Sequence, residues 1–262
     1  KSFRIVTGDF VTLEEGTGIV HIAPAFGEDD YNVGQAENIE LLQHVGMDGR
    51  FKSEVSDFAG MEVKPKDNPQ GTDIEIIKYL AAHGSLFAKK KIAHSYPHCW
   101  RCDTPLLNYA TDSWYVKVSA FKDQLLVNNE KINWEPDHIK HGRFGKWLEG
   151  ARDWAISRNR YWGTPLPVWE SEAGDFICVG SATELEELSG QKVSDLHKHI
   201  VDKIEFKKDG KTYHHVPEVL DCWFESGSMP YGELHFPFDN QEAFKRSFPA
   251  DFISEGQDQT RG

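Results

Sequence analysis

Residues 16–31 read Gly-Thr-Gly-Ile-Val-His-Ile-Ala-Pro-Ala-Phe-Gly-Glu-Asp-Asp-Tyr, a short apolar run that stops abruptly and gives way to three consecutive carboxylates. Gly16 and Gly18 let the backbone approach another group without Cβ interference, and Ile19, Val20 and Ile22 supply a buried strand. Alternation puts His21 on the face of Ile19, with Val20 and Ile22 on the other. Pro24 and Gly27 end the strand, so Glu28, Asp29 and Asp30 fall on the first turn of a helix, where the macrodipole favours acids. A strand delivering the chain into a helix is an α/β device. Glu28 and Asp29 read as solvated first-turn acids. Asp30, brought near His21 by the turn, is the functional candidate, suited to carbonyl hydrolysis or amine recognition.

The rest of the pattern divides the chain in two. Residues 1–95 give strands over 3–11 and 19–22, a helix over 29–42 and an amphipathic helix over 73–83. In the last, Ile74, Ile77, Leu80 and Ala81 lie near one face and Gly84 is the stop signal. Residues 46–71, rich in Gly, Pro, Asp and Lys, read as loop or short hairpin. Residues 96–262 give a strand over 113–118, helices over 120–129 and 137–150, and a hairpin turned by Asp209-Gly210 between residues 204–206 and 213–215. Residues 250–262 read as a buried strand opening onto a polar loop, at the sheet edge where open α/β folds gather ligands. The ends are abrupt, which fits either a tidy chain or a piece of something larger.

Composition excludes several classes. With 262 residues, 39% hydrophobic and 27% charged, the chain matches a globular protein of one large or two ordinary domains. It has no apolar stretch long enough for a bilayer and no signal-peptide pattern, so a soluble, cytoplasmic protein without a membrane partner is expected. A net charge of −13 argues against a broad nucleic-acid platform, DNA included, although Lys89-Lys90-Lys91 is a local basic patch. Four unevenly spaced cysteines are too few for a disulfide scaffold.

Three further strings invite chemistry. Cys99-Trp-Arg-Cys102 has the spacing of half a zinc knuckle, but tetrahedral zinc takes four ligands and no second pair follows; a redox pair or two structural thiols fit as well. Residues 154–169 mix aromatic and basic residues. They could stack bases or pair phosphate through Arg158 and Arg160, or form a core strand and turn with Trp162 and Trp169 buried, the commoner use of aromatics. Residues 221–230 could place Trp223 in a pocket wall with Glu225 and Ser226 at its rim, or be a buried strand and turn.

The wording of these strings is more specific than their chemistry. Gly16-Thr-Gly-Ile-Val-His-Ile-Ala-Pro-Ala-Phe-Gly-Glu-Asp-Asp-Tyr31, Tyr96-Pro-His-Cys-Trp-Arg-Cys-Asp-Thr-Pro-Leu106, Trp154-Ala-Ile-Ser-Arg-Asn-Arg-Tyr-Trp-Gly163, Asp221-Cys-Trp-Phe-Glu-Ser-Gly227 and Glu255-Gly-Gln-Asp-Gln-Thr-Arg-Gly262 stand in the order found in class I isoleucyl-tRNA synthetases. The chain resembles that family along its whole length. Valyl and leucyl relatives share the Gly-Thr-Gly strand but typically continue to Pro-Ala-His-Asp, where this chain has Pro-Ala-Phe-Gly; a valyl relative is the alternative within the class.

The resemblance implies a Rossmann-type catalytic domain that forms aminoacyl-adenylate from ATP, with Mg2+, and isoleucine, then charges isoleucine tRNA. It also implies a β-barrel-like editing domain that hydrolyses mischarged valine. One methylene separates the two amino acids, a margin of about 1–3 kcal/mol that comes from measurements on this family's own enzymes and owes nothing to this chain. By motif position, residues 1–95 resemble the C-terminal part of the editing domain, with Asp30 anchoring the ammonium and His21 in the pocket wall. Residues 96–262 resemble the return into the catalytic domain. There Trp223 lines the isoleucine pocket, Glu255, Gly256, Asp258 and Gln259 form the loop that holds the adenylate, and Cys99 and Cys102 are one pair of a zinc site.

The family's His-Ile-Gly-His and Lys-Met-Ser-Lys-Ser signatures, the Thr-rich wall of the editing pocket and the second cysteine pair are not in this sequence. A central fragment unable to aminoacylate by itself is therefore expected. The reading from another class is a non-catalytic module that binds tRNA or a partner through Lys89 to Lys91 and the Arg158 segment; a zinc or redox module is the third.

Overall fold

The computed structural model describes residues 4–14 and 17–260. The chain divides into two compact units, Lys1–Thr111 and Asp112–Gly262.

In the first unit the described residues hold two helices and no regular strand. Residues 4–11 and 19–22, expected as strands, have no ladder partner, and Ile5 and Ile19 are almost wholly exposed. Gly16 lies outside the described residues. The apolar runs are present in the sequence, but a strand exists only when another backbone satisfies its N–H and C=O groups.

Helix α1 spans Glu28–Ala36 and stops well short of residue 42. Asn38 takes a left-handed φ of 52°, the Ile39 N–H donates to Gly34 O at 2.8 Å and the Asn38 N–H to Gln35 O at 3.3 Å. That is a Schellman stop built on asparagine, a weaker sequence signal than glycine. Helix α2, Gly71–Ala82, ends as expected: Gly84 is left-handed at φ 69°, and the Ser85 N–H closes onto Leu80 O at 2.9 Å. The intervening segment is loop with isolated bridges, Val45 to Phe51 and Arg50 to Glu62.

The second unit is built from small antiparallel sheets. Strand β1 (Tyr115–Val116) is followed by α3 (Lys122–Glu130), α4 (His138–His141), α5 (Arg143–Glu149), β2 (Trp154–Ala155) and β3 (Ser157–Arg158). The single helix expected over 137–150 is divided at Gly142, whose ψ of −110° leaves the helical region. Next come β4 (Val168–Ser171), β5 (Phe176–Cys178), α6 (Ala182–Ser189), α7 (Lys198–Val201), β6 (Glu205–Lys208), β7 (Lys211–His215) and β8 (Val219–Leu220). Helices α8 (Cys222–Gly227), α9 (Met229–Gly232) and α10 (Gln241–Ser247) complete the regular elements before a 3-10 turn at Gln257–Thr260.

Strands β1 and β2 pair, as do β3 and β8, and the largest sheet runs β5-β4-β7-β6. The hairpin expected at Asp209-Gly210 is there. Lys208 faces Lys211 across a two-residue turn whose residues both have positive φ, 51° and 76°, the combination that matches strand twist. On one face of this sheet Trp169, Val179, Leu185, Val193, Val201, Ile204, Phe206 and Tyr213 form the main core. The Trp169 indole donates to Ile204 O at 2.8 Å, so the buried ring leaves no unpaired N–H.

The α/β expectation holds, in a coarser form than the sequence suggested. Among the described residues every sheet is antiparallel and none closes into a barrel. Residues 250–253 are not a buried strand: Phe252 and Ile253 are 84% and 73% exposed.

Candidate active site

In the first unit the chain turns at residues 23–26, where the Phe26 N–H donates to Ala23 O at 2.9 Å. Gly27 then precedes α1, and the Asp30 carboxylate reaches back over the turn to accept from the Ala23 N–H at 3.1 Å. That bond orients Asp30 and ties the helix to the segment carrying His21. A cavity of about 770 Å3 opens beside residues 4–11 and 18–24; His21 and Ile19 line it, and Asp30 does not. His21 is exposed and Asp30 half-buried.

Residues 97–106 of the same unit fold into a knuckle. The Cys99 N–H donates to Thr104 O at 2.9 Å, the Asp103 N–H to Cys99 O at 2.8 Å and the Leu106 N–H to Pro97 O at 3.0 Å. The turn brings the two thiols together. Hydrogen bonding to Thr104, whose Oγ1 lies 3.1 Å from Cys102 Sγ, then to Cys99, with the Lys66 charge beyond, lowers the Cys102 thiol to about 7. Two thiols at one turn suit half of a tetrahedral zinc site. Among the described residues no third His, Cys, Asp or Glu joins them.

In the second unit two of the singled-out strings meet. Strands β3 and β8 pair Ser157 with Leu220 and Arg158 with Val219. Gly163 packs so closely on Val219 that a Cβ there would lie 2.9 Å from Val219 Cγ2. Immediately after β8, Asp221 is buried at 4% exposure and caps α8. Its Oδ1 accepts from the Trp223 N–H at 3.1 Å, while Oδ2 takes the Arg158 guanidinium and the Trp154 indole N–H, the latter at 3.4 Å. Burial works against ionisation of Asp221, but the Trp223 N–H, the Arg158 charge and the Trp154 indole together hold the carboxyl below its usual range.

Arg158 is thus engaged inside the fold: it also donates to Ala155 O and Ser157 O, each at 2.8 Å. Trp169 is buried as the core reading expected. Trp162 is not: it is 54% exposed and stacks against His197 and His199 at 6.0 and 5.7 Å. Residues 222–227 form a helix, not a strand, and Trp223 stands half-exposed on it.

Glu255, Gly256, Asp258 and Gln259 sit together on one exposed turn. The Gln259 N–H closes onto Gly256 O at 2.9 Å, the Gln259 amide donates to Asp258 Oδ2 at 3.2 Å, and Arg143 Nε holds Thr260 Oγ1 at 2.9 Å. Sequence reasoning gave Asp221 no role. The signal was available, since an aspartate two residues before a tryptophan at a helix start is an N-cap pattern, but the segment was legible equally as a strand.

A family model described as tRNA synthetases class I (I, L, M and V) matches residues 44–262. The chain belongs to the class I tRNA synthetases. Within that class it is similar to isoleucine-tRNA ligases: 58% identical over 264 aligned residues to that of Treponema denticola, and 52% and 53% over 261 to those of Chlamydia abortus and Chlamydia muridarum. In each comparison all of this chain is covered, against 24%, 24% and 25% of the relative. The chain spans about a quarter of the length of these curated relatives.

Proposed function

We propose that this chain is the central portion of an isoleucine-tRNA ligase, joining part of a valine-editing domain to part of a Rossmann-type catalytic domain. The identity of 52% to 58% with isoleucine-tRNA ligases along the entire chain carries the reading. The whole enzyme activates isoleucine with ATP and Mg2+ and transfers it to isoleucine tRNA in the cytoplasm. Among the described residues no helix is long and apolar enough to cross a membrane.

In this reading the half-exposed Trp223 ring forms an apolar wall for the isoleucine side chain, and the turn carrying Glu255, Gly256, Asp258 and Gln259 receives the adenylate. Carboxylates there accept from an ammonium or from ribose hydroxyls, and Gly256 lets the ligand approach the backbone. At the editing site Asp30, oriented by the Ala23 N–H, takes the ammonium of the misattached valine, and His21 forms part of the wall that excludes isoleucine. Positioning of the ester for attack by water is the main requirement. Cys99 and Cys102 supply two thiolates to a zinc ion whose other ligands come from outside this chain; bound zinc contributes a fixed tetrahedral crosslink.

The test is amino-acid-dependent pyrophosphate exchange into ATP by the full-length protein containing this chain. Exchange is expected with isoleucine and far less with valine; a preference for valine, or none, overturns the assignment. Deacylation of valine-charged isoleucine tRNA, lost in Asp30→Ala, checks the editing half.

A further inference from the structure

We infer that Asp221 is a positioning residue for amino-acid selection, acting through the tryptophan two residues beyond it. This rests on the assignment of Trp223 to the isoleucine pocket. Helix α8 has no buried side chain of its own. Apolar packing therefore holds it only lightly, and its direction depends on what fixes its first turn.

That hold is concentrated in one carboxylate. Asp221 Oδ1 takes the Trp223 N–H, and Oδ2 takes the Arg158 guanidinium and the Trp154 indole. The Asp221 N–H is itself anchored on Ile156 O at 2.7 Å. The Trp154 ring also meets the Phe224 ring at 6.1 Å, so the segment that orients the carboxylate touches α8 a second time. Trp154 and Arg158 thus aim Asp221, and Asp221 aims the backbone from which the Trp223 ring projects. None of these three groups needs to touch the amino acid.

The experiment is steady-state pyrophosphate exchange by the full-length protein, parent against Asp221→Ala, Asp221→Asn and Trp154→Phe, with KM for isoleucine and for ATP measured separately and thermal unfolding followed alongside. Asp221→Ala is expected to raise KM for isoleucine about tenfold, the equivalent of one lost helix cap, and to erode the preference over valine. KM for ATP should stay within about twofold in the same variant, since the cap acts on the amino-acid side alone.

Asparagine retains an oxygen for the Trp223 N–H and should restore most of the lost affinity; Trp154→Phe should shift KM in the same direction by less. A merely structural role would move both KM values together, in step with any loss of folding stability, which overturns the inference, as does an unchanged isoleucine KM in folded variants. Should Asp221→Ala not fold, the Asn and Phe variants decide on the same criteria. A parent inactive with isoleucine removes the functional reading and this inference with it, whereas an active parent with indifferent variants removes the inference alone.

Discussion

Residues 166–216 and residues 4–44 both carry apolar runs interrupted by turn signals, and they fold to different degrees of closure. In the first, four strands bring Trp169, Phe206 and Tyr213 onto one face, and α6 covers them with Leu185 at 2% exposure. In the second, Ala25 and Gly34 are the only buried residues among those described, and Ile5, Leu13 and Ile19 stand exposed. Hydrophobic content does not separate the two regions. Local pairing does, because β4 with β5 and β6 with β7 are hairpins that satisfy each other's backbones.

The sharpest way to break this comparison is to truncate one side chain in each region. Leu185→Ala is expected to cost about 2–5 kcal/mol in urea unfolding read by amide protection of β4 and β7. Ile19→Ala should change stability by less than about 0.5 kcal/mol. Equal costs would mean that residues 4–44 are as closed as residues 166–216.

Asp221 gives the next largest effect. Its carboxyl titrates lower in the folded protein than in the unfolded chain, so its stabilisation is complete above the unfolded value, about 4, and is lost as pH falls through the folded value. Asp221→Asn should cost about 1–3 kcal/mol at neutral pH, and the gap to the parent should narrow in acid. A gap independent of pH would assign the effect to shape instead of charge. Gly163→Ala forces a Cβ against Val219 and is expected to cost about 1–3 kcal/mol, measured by thermal unfolding. A smaller loss is expected for Ser181→Ala. Ser181 Oγ accepts from the Glu184 N–H at 3.1 Å at the start of α6, and its loss should cost about 1 kcal/mol.

What the sequence made legible follows the same division. The Asp209-Gly210 hairpin and the Gly84 stop of α2 were readable because each signal lies within a few residues of the structure it dictates. The early end of α1 was not, since Asn38 adopts a left-handed conformation that its identity permits without requiring. Strands over 4–11 and 19–22 were misread because alternation reports a face to bury and says nothing of whether a partner backbone is at hand. For the candidate site, the wording of the motifs singled out Trp223 and the turn at residues 255–259 as candidates. It could not reveal that Arg158, a candidate phosphate ligand by type, is held by Asp221, because that contact joins residues far apart in the chain.

The seam between β3 and β8 also has a topological meaning. Pro165 forms an antiparallel bridge with Val219, and the Leu220 N–H returns to Thr164 O at 2.8 Å. The chain leaves for the four-stranded sheet and comes back at one point, so everything between is an insert whose two ends are already joined. Such an insert can be lengthened, shortened or exchanged with little strain on the strands that bracket it. The segment delivering Arg158 and the one delivering Asp221 are therefore adjacent by construction, whatever size the module between them takes.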